Sequence, residues 1–253
     1  MSVVAGIVTG YGINAEFELA QAFSDAGAVA QLIHVQDLIE NPRQMDSFQI
    51  VSFPGGFAFG DHLGSGKVLS HLLSKHLDKD FGRFLDDGKL ILGICNGFQM
   101  ITRMGLVPNL SGSRQQEATL LHNQSGNFID RWVELEVQTL NKSPWLTGLT
   151  RFRAPIRHGE GRYALKDQTI EDAVESGGQI AITYSGDNPN GSWKSVAGLT
   201  DKTGQVLGMM PHPEAARTPD QDPAFRSGLD SRDGSAPATT IFANAVRYCR
   251  SQL

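Results

Sequence analysis

One cysteine, Cys95, stands in a sequence that would make it reactive: Leu90-Ile91-Leu92-Gly93-Ile94-Cys95-Asn96-Gly97-Phe98-Gln99. An apolar run drives into a Gly-x-Cys-x-Gly turn, and the residues after it have helical spacing. This is the layout of a nucleophile elbow with sulfur in place of the usual hydroxyl. The glycines two residues either side let the backbone turn sharply between strand and helix. Such a turn holds the side chain clear of the sheet and puts the first helical N–H groups beside it. The helix dipole there favours a negatively charged sulfur, the form that attacks a carbonyl carbon.

A cysteine nucleophile needs a base and a group that orients the base. Of the seven histidines, His212 has the best setting, after an apolar run from Val206 to Met210 and inside Pro211-His212-Pro213-Glu214. In an extended stretch, side chains two apart point the same way, so Glu214 is expected to accept the Nδ1 proton and fix the tautomer. Taken alone, Pro-His-Pro-Glu reads as a surface turn; beside an elbow cysteine it reads as base and orienter. The third element is Phe53-Pro54-Gly55-Gly56-Phe57. Adjacent glycines after a strand let a backbone N–H turn into a cavity as one half of an oxyanion hole, with the N–H of Asn96 as the other. Loss of one such donor costs about 10²–10³ in rate. Gly-Gly by itself is no more than a turn.

The elements that must position these residues alternate in the first half. Val3 to Val8 reads as a buried strand, Val29 to Val35, Phe48 to Phe53 and Lys89 to Ile94 as further strands, and 15–26, 66–77 and 79–87 as helices. The expected fold is α/β: a flavodoxin-like, doubly wound, mainly parallel sheet with helices on both faces, plus an antiparallel extension in the second half. Ligands in such folds sit at the carboxyl ends of the strands, where both Cys95 and the Gly55-Gly56 turn fall. In the second half, Arg131 to Val137 alternates polar and apolar, as a half-exposed antiparallel strand should. Ile180 to Ser185, Ser195 to Leu199 and Val206 to Met210 read as further strands, and Thr239 to Cys249 as a closing helix. Arg217 to Ala238, rich in Pro, Asp, Ser and Gly, reads as a long surface loop. With no repeat or linker, 1–253 is expected to form a single domain.

Composition narrows the function classes. The 253 residues carry 40% hydrophobic and 19% charged side chains, ordinary for a chain with a real core. A net charge of −5 leaves no basic footprint for nucleic acid. The two cysteines, Cys95 and Cys249, make no disulfide framework. No apolar run approaches the roughly 20 residues that span a bilayer, and no signal-like segment opens the chain, so a cytoplasmic setting is expected.

The motifs also resemble those of a known family. Gly-Ile-Cys-Asn-Gly-Phe-Gln at 93–99, Pro-Gly-Gly-Phe-x-Phe-Gly-Asp at 54–61 and His-Pro-Glu at 212–214 resemble the triad-type (class I) glutamine amidotransferases. More narrowly, Asn96-Gly97-Phe98-Gln99, Arg131-Trp132-Val133-Glu134-Leu135, Pro155-Ile156-Arg157-His158-Gly159-Glu160-Gly161-Arg162-Tyr163 and Asn188-Pro189-Asn190-Gly191-Ser192 resemble the glutaminase subunits of phosphoribosylformylglycinamidine synthases. The matches run from about residue 3 to residue 247. The resemblance implies that Cys95 attacks the side-chain amide of L-glutamine, with His212 carrying the proton and Glu214 orienting it. It implies Gly56 and Asn96 at the oxyanion, and Gly55, Gln99, His158 and Glu160 at the substrate. It also implies a synthetase partner holding ATP and Mg, with room for a small accessory subunit, and no cofactor or metal in this chain. Two stretches depart from the family: Gly10-Tyr11-Gly12-Ile13-Asn14 replaces a Pro-Gly-Ser-Asn turn, and His62-Leu63-Gly64-Ser65-Gly66-Lys67 replaces a Tyr-Leu-Arg-x-Gly pattern.

Other patterns carry less. Gly64-Ser65-Gly66-Lys67 hints at a phosphate loop, but Asp61 and Val68 break the pattern. No His-Glu-x-x-His or paired Cys-x-x-Cys offers a zinc site. His71 and His76 are expected to face solvent, Cys249 to pack in a helix, and Trp132 and Trp145 to be core or interface aromatics. Two other functions compete: an elbow-cysteine hydrolase that pairs Cys95 with a different histidine, and a non-catalytic subunit that regulates a synthetase.

Overall fold

In the computed structural model, residues 2–227 and 237–252 are described. The first half alternates strand and helix: β1 (Val4–Thr9), α1 (Glu16–Asp25), β2 (Val29–His34), α2 (Val35–Glu40), β3 (Ile50–Phe53), α3 (Lys67–Asp86), β4 (Leu90–Ile94) and α4 (Asn96–Arg103). The second half holds β5 (Ala118–Leu121), β6 (Ile129–Val137), β7 (Arg151–His158), β8 (Arg162–Leu165), α5 (Gln168–Ser176), β9 (Ile180–Tyr184), β10 (Val196–Thr200), β11 (Val206–Met209), α6 (Pro223–Arg226) and α7 (Thr240–Gln252).

Among the described residues, nine strands form one sheet in the order β2-β1-β3-β4-β11-β10-β9-β6-β7. The first five are mutually parallel; from β11 to β7 each pair is antiparallel. β3, β4 and β11 are buried along their whole length, which is why they read as continuous apolar runs. The chain steps from β1 to β2 in one direction and from β3 to β4 in the other. Right-handed crossovers therefore put α1 and α3 on opposite faces. The antiparallel extension expected from Arg131 to Val137 is β6, which pairs with β9 on one side and β7 on the other. β5 and β8 pair in a separate two-stranded sheet.

Several expectations change. The helices expected at 66–77 and 79–87 are one helix, α3. Its buried stripe Leu69, Leu73, Leu77, Phe81 and Phe84 runs on at three- and four-residue spacing through the charged run at 78–80. Asp78 faces outward, where Arg114 grips it with two bonds of 2.7 and 2.8 Å. Val35 begins α2 instead of closing a strand, because His34 Nδ1 accepts the Gln36 N–H at 3.1 Å and caps the helix. β5, β7, β8 and α5 were not expected. β7 was hidden by Pro155, which is tolerated there because β7 ends the sheet and needs donors on one side only. The surface loop expected from Arg217 to Ala238 holds a 3₁₀ turn at Pro219–Gln221 and the short helix α6. Asp222 within it is buried against Arg153 at 2.7 Å; residues 228–236 lie outside the described residues. His71 and His76 are exposed, and Cys249 and Trp145 are buried.

Candidate active site

The carboxyl ends of β3, β4 and β11 meet at one place, and the end of β7 closes it from the side. Cys95 sits in the elbow between β4 and α4 at φ 51 and ψ −106. The flanking glycines are there because backbone crosses backbone. A Cβ on Gly93 would stand 2.7 Å from the Gly97 carbonyl oxygen, and one on Gly97 would stand 1.9 Å from the Phe53 carbonyl oxygen. The Cys95 N–H donates to the Met209 carbonyl at 2.8 Å, tying the elbow to β11. The thiol points to the Arg157 carbonyl in β7, 3.5 Å away.

His212 follows β11, and its N–H donates to the Pro155 carbonyl on the free edge of β7 at 2.8 Å. Its Nδ1 lies 2.6 Å from Glu214 Oε1, with both side chains buried. The pairing expected from the sequence is present, but on a different backbone. Pro213 opens a 3₁₀ turn over Pro213–Ala215 where an extended stretch was expected. Burial works against a charge on the imidazole, but the Glu214 carboxylate and the Cys95 sulfur outweigh it, and its pKa is pushed up to about 10. Nε2 is buried with no hydrogen-bond partner among the described residues. With Nδ1 committed to Glu214, Nε2 is the ring nitrogen left unbonded.

Gly55 lies directly on this pair. A Cβ there would stand 2.8 Å from His212 Cε1 and 3.5 Å from Cys95 Cβ. The Gly55 carbonyl takes the N–H groups of Asn14 and Ala15, and the Phe57 N–H goes to the Gly12 carbonyl at 2.9 Å. These bonds fix the loop and leave the Gly56 N–H outside them. Asn96 contributes the first N–H of α4, which has no acceptor within its own helix. Its side chain clamps the same loop: Oδ1 accepts from Ala58 N at 3.0 Å, and Nδ2 donates to Asp61 Oδ1 and Gln99 Oε1 at 3.2 and 2.8 Å.

The other sequence candidates form a wall behind this centre. Gln99 Nε2 donates to the Glu160 carbonyl at 2.6 Å, so both ends of its amide are bonded within the protein. Glu160 Oε2 accepts the Ser65 N–H at 3.2 Å. His158 Nδ1 lies 3.0 Å from Asn123 Oδ1, and its Nε2 is buried without a partner among the described residues. Burial, helped by the nearby His212 charge, lowers the His158 pKa to about 4, so the ring is neutral at physiological pH. Gly161 must be glycine here, since a Cβ would stand 2.3 Å from the His158 ring.

Sequence reasoning passed over three residues at this site. Asp61 is part of the wall, and burial raises its carboxyl above the usual range against hydrogen bonds from Gly66, Ser65 and Asn96. Asn123 binds the His158 carbonyl and ring together. Arg157 brings Nη2 to 3.2 Å from His212 Nδ1. Asp61 and Arg157 both lie inside motifs that could have drawn attention to them; Asn123 had no such signal. Among the described residues, no group of three or more His, Cys, Asp or Glu could hold a metal ion.

The CobB/CobQ-like glutamine amidotransferase domain family matches residues 2–249. The chain is 35% identical to the phosphoribosylformylglycinamidine synthase subunit PurQ of Methanococcus maripaludis, over 96% of each chain. It is 34% identical to the subunit of the same name from Dehalococcoides mccartyi, over 94% of each. Among solved structures, a chain of PurLQS from Thermotoga maritima superposes with a TM-score of 0.74 at 30% identity, covering 98% of this chain and 99% of that one. The glutaminase domain of Trypanosoma brucei CTPS has the same fold, with a TM-score of 0.55 at 15% identity.

Proposed function

The chain belongs to the CobB/CobQ-like glutamine amidotransferase family, and from that premise we propose that it is the glutaminase subunit of a phosphoribosylformylglycinamidine synthase. It hydrolyses L-glutamine and passes the ammonia to a synthetase subunit. That partner uses ATP, with Mg, to convert formylglycinamide ribonucleotide to the amidine in purine synthesis. The relatives that share its length carry that name. The observation that carries the chemistry is the buried 2.6 Å pair of His212 and Glu214 set beside an elbow cysteine.

The residues divide the reaction as follows. His212, its pKa raised to about 10, holds the Cys95 proton at Nε2, and the sulfur adds to the side-chain amide carbon of glutamine. The carbonyl oxygen becomes an oxyanion facing the N–H groups of Gly56 and Asn96. The imidazolium returns its proton to the departing nitrogen, the C–N bond breaks, and ammonia leaves a γ-glutamyl thioester on Cys95. Water then adds to the thioester, its proton passes to His212 and on to the sulfur, and glutamate is released. Glu214 accepts the Nδ1 proton in a hydrogen bond, so that Nε2 faces Cys95, and balances the positive charge of the ring. Gly55 gives the ring and the thiol room to meet, and Gln99, His158 and Glu160 shape the wall on which the amino-acid end of glutamine rests.

The reading takes the whole chain as one amidotransferase domain, supported by a family match over 2–249 and a sheet running through both halves. A cytoplasmic location belongs to the same reading, supported by two free thiols. No helix among the described residues is long and apolar enough to cross a membrane. The test is Cys95→Ala assembled with the synthetase. Glutamine-dependent synthesis is expected to vanish while ammonia-dependent synthesis persists; a mutant still served by glutamine would overturn the proposal.

A further inference from the structure

His212 has a third neighbour besides Cys95 and Glu214. Arg157 Nη2 lies 3.2 Å from His212 Nδ1 and 2.9 Å from Glu18 Oε2 in α1. Nδ1 carries a proton whether or not Nε2 does, and the 2.6 Å separation assigns that proton to Glu214. Arg157 then finds no acceptor at Nδ1 and stands beside it as an unbonded positive charge. The carbonyl of the same residue receives the Cys95 thiol at 3.5 Å. One residue of β7 thus meets both reacting groups, one with its backbone and one with its side chain.

With the Cys95 proton on Nε2, the imidazolium is a second positive charge next to the guanidinium. Arg157 opposes that charge, and Glu18 reduces the opposition by neutralising part of the guanidinium. The charged and titratable groups set against the pair are Glu214 in the turn after β11, Cys95 in the elbow, Glu18 (with Glu16 in the same first turn of α1), His158 next along β7, and Asp130 opposite Arg157 in β6. Among the described residues, only Glu18 forms an ion pair with the guanidinium. An exposed pair of this kind contributes little on its own, but this one leans on a histidine that is 3% exposed. Because Asn14 and Ala15, just before α1, bond the Gly55 carbonyl, the helix that carries Glu18 is fixed to the loop over the triad.

Resting on the triad reading above, we infer that Arg157 is a positioning residue whose charge, held and attenuated by Glu18, sets how tightly His212 keeps its proton. The two side chains tune the triad from outside it and in opposite senses. Arg157→Met removes the cation, so His212 retains its proton to higher pH. Glu18→Gln leaves the cation uncompensated, so His212 gives up its proton at lower pH. Arg157→Lys keeps the charge.

The experiment measures kcat/KM for glutamine hydrolysis against pH in the assembled complex with the synthetase. The alkaline limb is expected to move up by ~0.5–1 unit in Arg157→Met and down by a few tenths of a unit in Glu18→Gln. In Arg157→Lys it is expected to stay near wild type. Coincident alkaline limbs in wild type, Arg157→Met and Glu18→Gln would overturn the inference. So would movement of both variants in the same direction, which is what general loosening of the site gives. If Arg157→Met does not fold, Glu18→Gln decides, because its carboxylate is on the surface: a lowered limb supports the inference and an unmoved one overturns it. Failure of the triad reading itself gives a different result, glutamine hydrolysis persisting in Cys95→Ala.

Discussion

At Cys95 the backbone holds φ 51 with ψ −106, a conformation that costs a non-glycine residue of order 1–3 kcal/mol. It persists because the crossing of β3, β4 and α4 leaves the chain no other path. The strain aims the sulfur toward the end of β7, where it reaches the Arg157 carbonyl at 3.5 Å. The His212 ring beside it is held from behind by Glu214 at 2.6 Å. Glu214→Gln is therefore expected to lower kcat by roughly 10²–10⁴, since an amide can turn either its oxygen or its NH2 toward Nδ1 and no longer fixes the tautomer. The Glu214 charge is also the leading reason the imidazole pKa stands at about 10 in spite of burial. Without it the ring loses its proton at lower pH, so the alkaline limb of the rate profile moves toward neutrality. A pH profile of glutamine hydrolysis by the complex reads both effects; an unchanged limb with a normal rate would show that the carboxylate neither charges nor orients His212. The spacing of His212 and Glu214 is enough to suggest the pair, although the backbone that brings them together is not the extended stretch the spacing implies. Pro213 bends the chain into a 3₁₀ turn, and the two side chains meet across that bend.

Among the elements, α4 decides the site, because its first residue is the oxyanion candidate Asn96 and its second must pass β3. A Cβ at Gly97 would lie 1.9 Å from the Phe53 carbonyl oxygen and 2.6 Å from its carbon. Both atoms belong to a buried central strand that cannot give way. In an exposed helix, Gly→Ala gains up to about 1 kcal/mol of propensity. Here the sign reverses: Gly97→Ala is expected to cost more than ~3 kcal/mol or to push α4 away and take Cys95 with it. Urea unfolding, read beside labelling of Cys95 by a glutamine-analogue diazo ketone, checks this; wild-type stability with wild-type labelling would refute it. Elements like β4 and β11 were legible because burial on both faces demands continuous apolar runs. β7 was not, because Pro155 argues against a strand unless the strand is known to lie at an edge, and edge position is a property of the whole sheet. That omission had a consequence. Arg157 and His158, seen only as members of a motif, could not be assigned to opposite faces of a strand, so the guanidinium beside the triad went unnoticed.

On the scale of the molecule, the site joins the parallel half of the sheet to the antiparallel half, and two buried histidines carry that junction with opposite protonation. His158 belongs to the β7 side, bonded to Asn123 and enclosed by Gly161. Its pKa in the folded chain is lowered to about 4, against an ordinary value near ~6.5 in an unfolded one. Between those values the unfolded chain binds a proton that the folded chain refuses. Stability must therefore fall as the pH drops through that window, and is fully restored above it. The loss attributable to this one ring approaches ~3 kcal/mol. His212 acts on the other side: its folded pKa is raised to about 10, so its contribution is complete below the unfolded value and is lost as pH rises toward the folded one. The two rings confine maximum stability to a band near neutrality. His158→Gln removes the acid-side contribution alone. Chemical denaturation of the isolated chain at intervals from pH 4 to 6.5 should give a clearly shallower decline for His158→Gln than for wild type, with little difference in slope above neutrality. Equal slopes in the acid range would mean that the ring is protonated at its usual pH inside the fold, and that the wall behind Cys95 is wetter than its burial implies.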